Sequence, residues 1–70
     1  NIYPNPTADY LNIQSTELLD IQFYSLNGKL VKKLSSVEGK IDIRDLPRGV
    51  YTMQATSKKG VYYESIIKRD

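Results

Sequence analysis

The feature that most constrains the fold of this chain is a two-residue alternation of apolar and polar side chains, repeated in short runs. It is clearest in residues 51–56, which read Tyr-Thr-Met-Gln-Ala-Thr. Successive side chains of a β-strand point to opposite faces, so this pattern predicts a strand buried on one face. No window keeps apolar residues at helical spacing for three turns, and turn signals recur every 8–12 residues. The sequence therefore predicts an all-β, two-sheet antiparallel β-sandwich of six or seven short strands.

Turn-forming residues predict where two hairpins lie. Asn27-Gly28 predicts a tight hairpin, because both residue types accept positive φ. Ser57-Lys58-Lys59-Gly60 predicts a second hairpin, which folds the last strand, residues 61–68, back onto the strand before it. Residues 35–40 are predicted to form a polar loop. Pro47 and Gly49 predict a turn that lets the backbone bend sharply before the strand at 50–56 begins.

The alternation also predicts which side chains are buried. The expected core residues are Leu11, Ile13, Leu19, Ile21, Phe23, Ile41, Ile43, Leu46, Tyr51, Met53 and Ala55. Two strands are less regular. In residues 29–34 either Leu30 with Leu34, or Val31 alone, faces the core. In the last strand we predict that Val61, Tyr63, Ser65 and Ile67 face inward and that Tyr62 and Ile66 face outward.

The composition excludes several kinds of site. The chain has 70 residues, with no cysteine and no histidine. It therefore has neither a disulfide nor a thiolate metal ligand, and it lacks the commonest general base. Asp42 and Asp45 are close in sequence, but the alternation gives them no shared face. We predict a non-enzymatic domain without a cofactor or a metal.

The charges are unevenly distributed along the chain. Residues 1–28 carry −3 and residues 29–70 carry +5. This asymmetry fits either an anionic partner or lysines that simply solvate strand faces. Clustered aromatic platforms within a basic strand pair are absent, so we predict no nucleic-acid partner. No apolar run approaches the ~20 residues of a membrane span, so we predict no membrane insertion.

Five short motifs occur in a fixed order. They are Tyr3-Pro4-Asn5-Pro6, Leu11-x-Ile13, Ile21-x-Phe23-Tyr24 followed by Asn27-Gly28-Lys29-x-Val31, Leu46-x-x-Gly49-x-Tyr51, and Ile66-Ile67-Lys68. In this order and spacing the chain resembles the type A C-terminal sorting domain of the type IX (Por) secretion system of Bacteroidota. The resemblance covers nearly the whole chain.

The resemblance implies an immunoglobulin-like sandwich placed last in a larger secreted protein, so we expect residues 1–70 to be one domain excised from such a protein. It implies that the type IX translocon reads this domain as an address and exports the upstream passenger across the outer membrane. A sortase-like peptidase then typically removes the domain, and the passenger is attached to anionic lipopolysaccharide or released. The implied location is the periplasm in transit, followed by the outer-membrane surface or the medium.

The resemblance also names site residues. The motif residues that match are Pro4, Asn5, Pro6, Gly28, Lys29, Leu46, Gly49, Tyr51 and Lys68. We expect mainly structural roles for the turn glycines and for Tyr51, whose hydroxyl needs a partner at the rim of the core. Contact with the translocon is predicted at the outer face of the last strand and the basic tail, namely at Tyr62, Ile66, Lys68 and Arg69.

Two alternatives stay open. The domain could instead be a terminal immunoglobulin-like binding or spacer module on a cell-surface protein, gripping carbohydrate or a partner protein. An exposed last strand could be read by strand addition or could pair two copies into a homodimer. Persistence of the domain in the mature protein separates the binding module from the removable address.

Overall fold

A computed structural model describes residues 2–3, 9–13 and 16–69, with only the backbone described for residues 2 and 3. These residues form seven strands. The strands are β1 Ile2–Tyr3, β2 Tyr10–Ile13, β3 Leu19–Tyr24, β4 Leu30–Val37, β5 Gly39–Asp42, β6 Gly49–Ser57 and β7 Gly60–Lys68. None of the described residues is helical, so no helix that could cross a membrane is present among them.

The strands form two antiparallel sheets, as the alternation predicts. One sheet has three strands in the order β1-β2-β5, and the other has four in the order β4-β3-β6-β7. The pattern is that of an immunoglobulin-like sandwich, with A-B-E in one sheet and C′-C-F-G in the other. The predicted all-β sandwich is confirmed.

The core lies between the two sheets. The eleven expected core residues, from Leu11 on β2 to Ala55 on β6, are all buried, and Ile66 joins them. On β3 the buried residues are Leu19, Ile21 and Phe23, while Asp20, Gln22 and Tyr24 point to the other face. Phe23 is the largest fully buried side chain. Burial of apolar side chains supplies most of the stability of such a layer.

The two predicted hairpins are present. In the first, the Gly28 amide donates to the Ser25 carbonyl at 2.9 Å, and the Ser25 amide donates to the Lys29 carbonyl at 2.9 Å. Gly28 has φ +85°, whereas Asn27 does not adopt positive φ. The loop is thus a turn closed by a glycine bulge, and only one of the two residues uses the left-handed region. In the second hairpin, Ser57 pairs with Gly60 around Lys58-Lys59.

The predicted polar loop at residues 35–40 is wrong. Strand β4 continues to Val37 and β5 begins at Gly39, so only one residue separates them. The pairing of β3 with β4 shifts register opposite Asp20, and Ser36 there has φ 53°. The Asp20 carboxylate accepts the Ser36 amide at 3.0 Å and so supports this bulge. The bulge keeps a polar segment within the strand, which a period-two pattern does not reveal.

The face of β4 that packs on the core is also settled. Leu34 and Val37 are partly buried against the core cluster, whereas Leu30 and Val31 are exposed. Neither predicted alternative holds as a whole, because Leu34 packs on the core without Leu30, and Val31 does not. A second register shift, between Phe23 and Tyr24, interrupts the alternation along this part of β4.

The predicted faces of the last strand are wrong. Ile66 is fully buried and pairs with Tyr51, while Val61, Tyr63 and Ile67 are exposed. The two-residue hairpin fixes this parity, because it places the even-numbered residues of β7 on the inner face beside Tyr51 and its neighbours. Tyr62 shares that inner face but is still 41% exposed, since β7 is an edge strand.

Candidate recognition surface

The Leu-x-x-Gly-x-Tyr motif forms the corner between β5 and β6. Leu46 is buried, and its amide donates to the Ile43 carbonyl at 3.1 Å. The Tyr51 hydroxyl donates to the Pro47 carbonyl four residues upstream. This is the tyrosine corner of immunoglobulin-like sandwiches, in which a tyrosine near the start of strand F ties down the chain that enters it. The predicted need of Tyr51 for a partner at the rim is met by Pro47.

Gly49 does not need to be glycine for this corner. Its φ is not in the positive range, and a Cβ would meet the Tyr51 ring at 3.9 Å, an ordinary van der Waals distance. The expected sharp bend at Gly49 is therefore wrong, and β6 already begins at this residue. What fixes the corner is the Tyr51 hydrogen bond and the burial of Leu46.

The final motif of the chain packs against this same corner. Gly49 pairs with Lys68, and Tyr51 pairs with Ile66. The Lys68 side chain is only 6% exposed, and its ammonium donates to the Arg69 carbonyl at 3.1 Å. Lys68 thus lies along the rim of the core. Ile66 and Lys68, predicted to face outward, are both buried.

Antiparallel pairing brings the first hairpin to the same end of the four-stranded sheet. Tyr24 pairs with Thr52, which pairs with Ser65, so the β3–β4 turn lies at the end where β6 begins and β7 finishes. We call this end the corner end. It gathers the described motif residues Gly28, Lys29, Leu46, Gly49, Tyr51 and Lys68.

The corner end exposes basic and apolar side chains. Lys29 and Arg69 are exposed, and Leu26 is 80% exposed at the tip of the first hairpin. Cations with solvent-accessible charge and a protruding aliphatic side chain offer a partner both electrostatic steering and a hydrophobic contact. The corner end is therefore the candidate recognition surface.

Tyr62 lies far from the corner end. It pairs with Ala55 near the second hairpin, six residues from Lys68 along β7 and so about 20 Å away at the rise of a strand. Of the four predicted contact residues, only Arg69 is exposed at the corner end. Pro4, Asn5 and Pro6 lie outside the described residues.

Two ion pairs flank the corner on the β5 side. Lys32 on β4 donates to both carboxylate oxygens of Asp45 at 2.8 and 2.9 Å and lowers its pKa. Arg44 donates to the two oxygens of Asp42 at 3.0 and 2.8 Å. These hydrogen bonds, with one from the Arg44 amide, lower the pKa of Asp42 to about 2 and raise that of Arg44.

A shallow groove of about 700 Å³ runs between the edges of β4 and β5. Its apolar lining is Leu34, Val37 and Ile41, and the two ion pairs and Lys40 form its rim. The Lys40 ammonium lies 4.2 Å from the centroid of the Tyr10 ring. Among the described residues, no group of three or more acidic side chains is arranged to hold a metal ion.

Comparison with known proteins decides the family. A family model described as "Secretion system C-terminal sorting domain" matches residues 1–69. The chain belongs to this family of sorting domains. A beta-agarase D of Zobellia galactanivorans is 30% identical over 59 residues, which is 84% of this chain and 12% of the agarase. The sorting domain thus spans a small fraction of the length of that relative.

The sequence motifs therefore identified a sorting domain correctly, but sequence reasoning missed the tyrosine corner. The signal was available, since Pro47 lies four residues before Tyr51 at the start of a strand. That the motif residues lie at one end of the sandwich could not be predicted from their spacing in the sequence, because it depends on which strands are neighbours in the sheet.

Proposed function

We propose that this domain is a non-enzymatic address for type IX export, and that the secretion machinery reads the exposed surface of its corner end. Membership of the sorting-domain family implies interaction with the secretion system, export across the outer membrane, and attachment to an upstream passenger. The observation that supports the corner end is the convergence of the described motif residues there. Buried members shape the end, and Lys29 and Arg69 present charge to a partner.

The finer steps belong to the same proposal. The passenger crosses the periplasm, the translocon takes up the domain, and a sortase-like peptidase cleaves upstream of it. The passenger then remains on the outer-membrane surface or enters the medium. Tyr62, although remote from the corner end, is retained as a second candidate contact because its ring is partly exposed on the β7 edge strand.

Secretion of a fusion tests this function. Residues 1–70 are joined to the C-terminus of a periplasmic reporter enzyme in a host with a type IX system, and reporter activity is measured in medium, surface and periplasm. In the intact host we expect the reporter activity outside the outer membrane. In a host that lacks the translocon we expect the reporter to stay in the periplasm. A reporter that stays in the periplasm of the intact host would contradict the proposal.

Mass spectrometry of the exported fusion tests the cleavage step. We expect the mature reporter to lack the residues of the sorting domain. Recovery of exported reporter with Asp70 still attached would refute removal and would favour a module that persists at the cell surface.

A further inference from the structure

The outer face of the four-stranded sheet is a surface distinct from the corner end, to which the proposed export function is assigned. It carries the side chains that point away from the core on β3, β6 and β7. One row crosses the sheet from Gln22 through Gln54 to Tyr63, which are direct cross-strand partners. Neighbouring strands are about 4.8 Å apart, so this row extends over roughly 10 Å. We call it the Gln–Tyr row.

The face is uncharged across half of the sheet. The outward residues of β6 and β7 are Val50, Thr52, Gln54, Thr56, Val61, Tyr63, Ser65 and Ile67. None of them is ionisable near neutral pH, although 26% of the chain is charged. The charged side chains of the face, Asp20 and Lys33, lie on β3 and β4. A partner that docks on β6 and β7 therefore meets amides, hydroxyls and one aromatic ring.

Two polar groups on this face are held in place. The Tyr24 hydroxyl donates to Oε1 of Gln22 at 2.7 Å, and both side chains are partly buried. Because its oxygen accepts this bond, the Gln22 amide directs its NH₂ group away from Tyr24. Beside it, Gln54 offers a second amide, and Tyr63 is 65% exposed at the end of the row.

We propose that the Gln–Tyr row binds a neutral polysaccharide. The amides of Gln22 and Gln54 can donate to and accept from sugar hydroxyls, and the exposed Tyr63 ring provides an apolar platform for the C–H face of a pyranose. The outward side chains of β6 and β7 offer a charged ligand no counter-charge, and a neutral ligand needs none. Lys33, the cross-strand partner of Gln22, lies just beyond that end of the row.

The aliphatic side chains of the face argue against a protein partner here. Val50 and Ile67 pair at one end of β6 and β7, while Val61 lies at the other. Six residues of strand separate Val61 from Ile67, a distance of about 20 Å. The rows between them are polar, so the face lacks the contiguous apolar centre of a protein interface.

Affinity electrophoresis of the 70-residue chain tests the proposal. The protein is run in native gels that contain agarose, laminarin or hydroxyethyl cellulose as neutral probes, or alginate as an anionic probe. We expect retardation by at least one neutral probe, unchanged at high salt, since no ion pairs are involved. Tyr63→Ala is expected to weaken binding about tenfold, equivalent to about 1.4 kcal/mol.

Tyr62→Ala is the matched control, because it removes the same side chain from the adjacent position on the opposite face of β7. It should bind as the unaltered chain does. If thermal unfolding shows that Tyr63→Ala does not fold, Gln54→Ala tests the centre of the same row.

Two outcomes of the electrophoresis would overturn the proposal. One is no retardation by any of the three neutral probes, with or without retardation by alginate. The other is an equal loss of binding in Tyr62→Ala and Tyr63→Ala. A mass that doubles with concentration in light scattering and is restored to 8.0 kDa by Tyr63→Ala would assign the face to a second copy instead. That result would also overturn it. The experiment does not involve export, so its outcome is independent of the proposed sorting function.

Discussion

At the scale of single residues, Tyr51 combines two structural roles. Its ring is buried in the core cluster that also contains Leu46, and its hydroxyl donates to the Pro47 carbonyl. Buried hydroxyls are costly unless they have a partner, so this bond both satisfies the tyrosine and fixes the corner. The alternation predicted the burial of the ring, but the identity of the hydrogen-bond partner required the three-dimensional turn.

Tyr51→Phe should destabilise the domain by about 1 kcal/mol, because the Pro47 carbonyl loses its donor while the ring stays in place. Urea unfolding followed by circular dichroism measures the change. Tyr63→Phe, on the exposed face, is the control and should unfold as the unaltered chain does. Equal stabilities for all three chains would show that the corner bond contributes nothing.

The two motif glycines should respond differently to alanine. Gly28→Ala is expected to lose about 1 kcal/mol of unfolding free energy, because an L-residue at φ +85° is strained. Gly49→Ala should be tolerated within about 0.5 kcal/mol, since its φ is not positive and its Cβ has room. Thermal or urea unfolding of both variants decides the point. A loss at Gly49 that matches or exceeds the loss at Gly28 would refute this account of the corner.

The Asp42 carboxylate should titrate at about pH 2, because Arg44 donates to its charged form. Its pKa is depressed relative to 3.8, so its stabilising effect is present above that value and is lost as pH falls towards 2. Carboxyl chemical shifts followed by NMR report this pKa. Arg44→Leu should return it towards 3.8, and an unchanged pKa in that variant would exclude the ion pair as the cause.

At the scale of elements, the strands and hairpins were largely predictable, whereas β4 and β7 were not. A bulge at Ser36 extended β4 through residues that look like a loop. In β7, the Tyr62-Tyr63 and Ile66-Ile67 doublets place apolar side chains on both faces, so the alternation alone could not select the buried set. The two-residue loop at Lys58-Lys59 selects it, through the pairing of Tyr51 with Ile66.

The end of β7 gives a prediction about Lys68. Lys68→Met should keep unfolding free energy within about 1 kcal/mol, because the buried stem is replaced by one of similar shape. Lys68→Glu should be clearly destabilising, since it buries a carboxylate where the lysine ammonium had donated to a carbonyl. Urea unfolding measures both, with the exposed Lys59→Glu as control. A stable Lys68→Glu variant would contradict the burial of this position.

At the scale of the whole molecule, the sandwich separates residues that shape the domain from residues that a partner can reach. Family membership was predictable from five ordered motifs, and the fold class from the alternation. The candidate surface was only partly predictable. Arg69 is exposed as expected, while Ile66 and Lys68 are buried because strand pairing, which spacing does not encode, turns them inward.

Charge reversal at opposite ends of the sandwich tests the central claim most directly. Lys29→Glu with Arg69→Glu changes the corner end, and Lys58→Glu with Lys59→Glu makes the same change of charge at the far hairpin. The measurement is the fraction of fused reporter outside the outer membrane, with equal unfolding temperatures confirming that both variants fold. We predict that the corner pair leaves the reporter in the periplasm and that the hairpin pair is exported like the unaltered chain. Equal export of both variants would contradict recognition at the corner end.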